Sequence, residues 1–135
     1  MPEKNPTSKY LITDLPDGGG WSWERFSVDN LSDGSTDDVF YFVSALGQGL
    51  GGLDLEWKNN GKTGKENILG WLDSCLIHSF RAMLKTKSKE RSDLFSGLVS
   101  FLMNYIECFR MQHKLPSSDV VVRIWAESIK KKETP

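Results

Sequence analysis

Chemically versatile side chains are scarce in this chain. Of 135 residues, two are cysteine and two are histidine. Two cysteines make no disulfide framework. Cys75 and Cys108 both fall in segments with helical spacing, where the usual role of a free thiol is that of a small buried hydrophobe. A bridge between them would require the two helices to face each other. A reducing, cytoplasmic setting is therefore the expectation. With His78 and His113 these thiols form the only set with metal-ligand chemistry. Cys75 and His78 are one helical turn apart, but Cys108 and His113 are five apart, which suits no continuous helix. Neither a structural zinc site nor a Cys–His nucleophile pair is expected, and no cofactor either. Long hydrophobic runs are also missing. No stretch approaches about 18 uninterrupted apolar residues, and Met1–Lys9 is polar and contains proline, so neither a membrane span nor a signal peptide is expected. Strong charge of one sign is absent too, since the formal net charge is -1.

That near-neutral total hides an asymmetry. Residues 1–60 carry 4 Lys/Arg against 10 Asp/Glu, and residues 61–135 carry 13 against 8. The halves can neutralise each other within the fold or across a dimer, or the basic half can meet an acidic partner. What the chain has in quantity is apolar mass. Hydrophobic residues make up 39% of it, with five Trp and seven Phe, enough for one domain with a core that needs no disulfide.

Periodicity divides that mass into helices. From Leu94, the residues Leu98, Phe101, Leu102, Tyr105, Ile106 and Phe109 recur at helical spacing. They predict a long central helix over Ser92–Lys114, closed before Pro116. A second helix is predicted from the Thr63-x-x-Glu66 capping box to about Met83–Lys85, with Ile68, Leu69, Leu72, Cys75, Leu76, Phe80 and Met83 on its apolar face. A third follows Ser117 or Ser118 as its cap, with Val121, Ile124, Trp125 and Ile129 as a buried stripe. A short helix over Asp37–Leu46 is capped at Ser35, although Val-Phe-Tyr-Phe-Val also suits a buried strand. Asp54–Lys58 reads as one helical turn ended by Asn59-Asn60-Gly61. Before these, residues 1–9 read as a flexible tail. Tyr10–Leu15 and the segment from Trp21 read as an extended stretch or hairpin around Pro16-Asp17-Gly18, with turn chemistry at Asn30–Ser35. The expected fold is mainly α, a small bundle of three to four helices over 37–135. An extended or β-hairpin segment at 10–35 belongs to the same single domain.

Two motifs fail on context. Gly47-x-Gly49-x-x-Gly52 matches a dinucleotide-binding pattern, but no full crossover helix separates it from Asn59-Asn60-Gly61, and it reads as a flexible break. Gly61-Lys62-Thr63 lacks the glycine five positions earlier that a phosphate loop needs, since Glu56 stands there.

One resemblance rests on three pieces: Leu69-Gly70-Trp71-Leu72 with its helix through Phe80, the long helix Leu94–Phe109, and the closing segment from Ser118 through Arg123 to Trp125. Together, residues 66–129 resemble the C-terminal helical collar domain of bacterial DNA polymerase III delta prime subunits. In that family the domain is not catalytic and packs against neighbouring subunits of a clamp-loader ring. The resemblance implies a helical assembly module. No phosphate loop or zinc module of that family is matched, and the Trp-rich first 35 residues depart from it, so no functional residue is carried over.

With no catalytic constellation legible, the expected function is non-enzymatic protein–protein interaction or assembly, with a protein partner or a second copy. Trp21, Trp23 and Trp125 are the candidate contacts. The alternative is a nucleic-acid-binding accessory protein that neutralises phosphates with Lys85, Lys87, Lys89 and Arg91 on a basic loop and with Lys130, Lys131 and Lys132. No aromatic residues interleave with either run, so base stacking is not indicated.

Overall fold

The computed structural model describes residues 23–51 and 53–133, and the side chains of 23–50, 68–127 and 130. Tyr10–Leu15, the Pro16 turn and Trp21 lie outside the described residues. Five helices follow in order: α1 Val28–Asp33, α2 Thr36–Gly51, α3 Leu53–Lys85, α4 Lys89–Gln112 and α5 Asp119–Glu133. Among the described residues there is no strand, so the mainly α bundle is the architecture, with one more helix than expected.

The extra helix is α1, which stands where the sequence suggested strand and turn. Ser27 caps it, its hydroxyl accepting from the Asn30 amide at 3.1 Å, and Asp29 sits favourably in the first turn. Gly34 closes it. A Cβ there would meet the Asn30 carbonyl at 2.5 Å, so the tight C-terminal turn needs glycine. Leu31 is buried beneath. Six residues cannot hold a helix alone, and tertiary contacts must supply the rest.

Helix α2 begins with the Ser35 hydroxyl accepting from the Asp37 amide at 3.0 Å. Asp38 does not complete a capping box. It accepts instead from Arg25 Nε at 2.8 Å, and the Arg25 guanidinium lies 4.2 Å over the Tyr41 ring. The helix continues through Gly47 and Gly49 to Gly51, so the glycine-rich stretch is a helix end rather than a flexible break. Similarly, α3 runs unbroken through Asn59-Asn60-Gly61 and past Thr63. Each interior glycine costs about 1 kcal/mol in helix propensity, which a long helix can absorb, and no proline stands between Pro16 and Pro116 to stop it.

Helix α3, not α4, is the organising element, for it packs against each of the other four. Trp71, Leu72, Cys75 and Leu76 are fully buried at its middle. Phe26, Phe42 and Phe95 form a ladder of rings beside them, at 5.4 and 6.4 Å between centroids. Ser79 is buried and satisfied, its hydroxyl donating to the Cys75 carbonyl at 2.8 Å.

Helix α4 ends in a Schellman turn. Lys114 takes a positive φ of 56°, the Leu115 amide donates to Arg110 O at 2.8 Å, and the Lys114 amide donates to Met111 O at 3.3 Å. Leu115 buries as the apolar contact that accompanies this turn. The chain then enters α5, capped by Ser118 as expected. Its hydroxyl accepts from the Val121 amide at 3.2 Å and donates to Asp73 of α3 at 2.7 Å. Burial raises the Asp73 pKa against the lowering effect of that hydrogen bond.

Candidate interaction surfaces

The basic connector between α3 and α4 is a clamp on α1. Only residues 86–88 are loop; Lys85 ends α3 and Lys89–Arg91 open α4. The last carbonyls of any helix lack partners within it. Here Arg91 Nη1 donates to Leu31 O at 3.2 Å and Nη2 to Gly34 O at 2.6 Å, while Thr86 Oγ1 donates to Ser32 O at 2.8 Å. Lys85 pairs with Asp29, and this contact raises the Lys85 pKa. Lys89 pairs with Asp93 at 3.3 Å along its own helix, and Lys87 is exposed. Two of the four cations proposed for phosphate are thus turned to α1. Lys130 is exposed; the side chains of Lys131 and Lys132 are outside the described ones.

A second clamp holds the turn before α1. His78 is half-buried, with Nδ1 3.0 Å from the Phe26 carbonyl and its ring 4.3 Å from the Trp23 ring. A carbonyl only accepts, so Nδ1 carries the hydrogen. Trp23 is half-buried against this contact and the core, so it does not join Trp125 in an exposed pair.

Burial lowers the His78 pKa from its ordinary 6.5, with Arg81 adding to the effect and the Phe26 hydrogen bond opposing it. Because the folded-state pKa lies below that of the unfolded chain, acidification protonates the unfolded chain first. Stability is fully present above about 6.5 and declines as pH falls through the window beneath it. Urea midpoints should therefore drop between pH 7.5 and 5.5. The difference between wild type and His78→Asn, which keeps a donor but does not titrate, isolates this share. A parallel fall in both proteins would contradict it.

The thiols are not a pair. Cys75 is buried in the core, where burial pushes its pKa well up, and Cys108 is exposed on α4 rather than buried as expected. His113 packs on Phe109 with ring centroids 4.6 Å apart. Among the described residues no three His, Cys, Asp or Glu side chains converge on a metal position, and no helix is long and apolar enough to cross a membrane.

The apolar surface that remains lies along α4 and α5. Trp125 does not join the buried stripe of α5; it is 60% exposed, with Val122 53% exposed beside it, while Val121 and Ile124 face inward. Trp125 stands at the rim of an α4–α5 groove of about 390 Å³ floored by Met103 and Val121 and edged by Glu107 and Arg110. Those two edge residues pair with each other at 2.8 Å. On the other side of α5, Ile77, Phe80, Leu84, Val120 and Ile124 line a groove of about 310 Å³ against α3, beside Arg81 and Arg123. The residues that sequence reasoning missed here are Val122 and Met103. Val122 next to Trp125 on an otherwise polar face was the available signal.

Set against protein-family models, curated proteins and solved structures, the chain gives no match. Over the described residues the fold is a small, mainly α bundle built on one long hub helix.

Proposed function

We propose that this chain is a non-enzymatic protein-interaction module that takes its place in a larger assembly through the α4–α5 face. The observation that carries this reading is Trp125, exposed together with Val122 at the rim of an apolar groove. A tryptophan beside an apolar groove can anchor a partner by filling contact area at little entropic cost, and such anchors dominate interface energies. The collar resemblance supports the same class, since residues 118–125 form one of its three pieces. The phosphate-neutralising reading has less support, because Lys85 and Arg91 serve α1.

The test is a partner that depends on this face. A protein retained by the immobilised chain from lysate of its own source should be lost with Trp125→Ala. With that protein purified, the variant should bind about 30-fold more weakly, the effect of a hot spot of about 2 kcal/mol. Equal affinity for wild type and Trp125→Ala would remove the α4–α5 face from consideration.

A further inference from the structure

The groove between α3 and α5 has apolar walls and cationic edges. Ile77, Phe80 and Leu84 of α3 face Val120 and Ile124 of α5, with Arg81 and Arg123 beside them. Leu84 is 52% exposed there. Both arginines are exposed, and neither makes an ion pair with another described residue. Glu127 is the one acid among the lining residues, so the groove is net positive. Its chemistry suits a short segment that offers apolar side chains and carboxylates and brings no cation of its own.

We infer that the α3–α5 groove is the docking site of residues 10–15 of this same chain. Three observations select that occupant. The first is where the chain enters. The described fold begins at Trp23, whose ring lies 4.3 Å from the ring of His78 on α3. Arg81 stands three residues beyond His78 and so shares its side of the helix, which puts the edge of the groove next to the point of entry. The second is reach. Leu15 comes eight residues before Trp23, a step of at most about 28 Å. The groove wall from Ile77 to Leu84 is only about 10 Å long. Gly18, Gly19 and Gly20 let the backbone take whatever direction that step needs. The third is composition. Tyr10, Leu11, Ile12 and Leu15 supply apolar side chains, and residues 10–22 carry Asp14 and Asp17 with neither Lys nor Arg. The α4–α5 groove offers no such match in charge, because its Arg110 is already paired with Glu107 at 2.8 Å. A short tether also holds the segment near the groove at an effective concentration of about millimolar, so modest contacts suffice to dock it.

This docking uses the side of α5 away from Trp125, so it stands or falls apart from the assembly reading. Methyl NOE spectroscopy on the full chain, labelled at Ile and Leu, is the test. Wild type should show contacts from Leu11, Ile12 or Leu15 to Ile77, Leu84 or Ile124. Leu84→Glu, at an exposed site, should lose them while the α3–α4 methyl contacts persist. Reversing both cations, Arg81→Glu with Arg123→Glu, should lose them as well, and Lys87→Glu, a reversal away from the groove, should leave them intact. In a sample mixing labelled and unlabelled chains, no contact should pass from one copy to another. A wild type without these contacts would overturn the proposal. So would contacts that survive both Leu84→Glu and the double reversal, or contacts that pass between copies, which would make the occupant a second chain.

Discussion

Trp71→Ala should cost about 3–5 kcal/mol, the usual range for emptying a fully buried tryptophan site. Trp71 is fully buried and is the largest such side chain among the described residues. It sits on α3, where every other helix packs, so the cavity would open at the centre rather than at an edge that could relax into it. Domains are commonly stable by about 5–15 kcal/mol, which leaves the variant marginal or unfolded at room temperature. Its thermal midpoint should fall by roughly 10–20 °C for a chain of this size. Trp125→Ala is the control with the same chemistry. That side chain is 60% exposed, and its removal should shift stability by no more than about 0.5 kcal/mol. Calorimetry of the two variants side by side checks both. Similar losses in the pair would contradict the placing of Trp71 at the centre and Trp125 at the surface.

Arg91→Ala should cost about 2–3 kcal/mol and release α1 before the rest of the bundle. The guanidinium makes two charge-assisted hydrogen bonds to carbonyls at the end of α1, at 3.2 and 2.6 Å. With the fork gone, Leu31 O and Gly34 O lose those partners, and the α1 dipole loses a cation at its negative end. Arg91→Lys should restore little, because a single ammonium cannot span two acceptors as the planar fork does. Hydrogen exchange should report it directly. Amides of residues 28–34 exchange faster in both variants, those of α3 around Trp71 do not, and Lys89→Ala leaves all of them unchanged. Uniform acceleration across the bundle would show that α1 is no separate unit.

Arg91 also shows where sequence reading reaches its limit. Lys85, Lys87, Lys89 and Arg91 look like a solvated or phosphate-seeking run because their alternation is visible and their acceptors are not. For Arg91 they are the Leu31 and Gly34 carbonyls, 60 and 57 residues away, and for Lys85 the Asp29 carboxylate, all on or just after a helix whose own sequence, VDNLSD, has turn chemistry. Local propensity cannot reveal α1, since contacts with α3 and the connector supply its stability. Helix breakers misled for a related reason. Asn59-Asn60-Gly61 and the glycines from Gly47 to Gly51 lower helix propensity without forbidding the helix, and only proline would have stopped it.

Periodicity told more about α4, giving its presence, its length within a few residues and Leu102, Ile106 and Phe109 on the buried face. It placed Leu94, Leu98, Phe101 and Tyr105 in the same core; Leu98 and Tyr105 do pack against it, partly buried, but Leu94 and Phe101 are left exposed, because the apolar arc of α4 is wider than one neighbouring helix can cover. Spacing shows that arc but not which half α3 takes. Burial of Phe95 and Val99 settles it, and the excess becomes surface. Trp125 follows the same logic on α5, where Val121 and Ile124 suffice for docking and the tryptophan is left outside. Trp23 was the reverse case, a candidate contact that His78 and the core hold in place.

The most direct test of the central claim, that this bundle meets protein through its surplus apolar surface rather than nucleic acid through its cations, is light scattering. The purified chain is measured at graded concentrations, alone and with a short DNA duplex, at low and at moderate salt. The predicted result is a mass that is the same with and without duplex at both salts. A chain that stays monomeric alone, yet forms a complex with the duplex at low salt that dissolves at moderate salt, would contradict the claim and return the basic residues to the centre of the account.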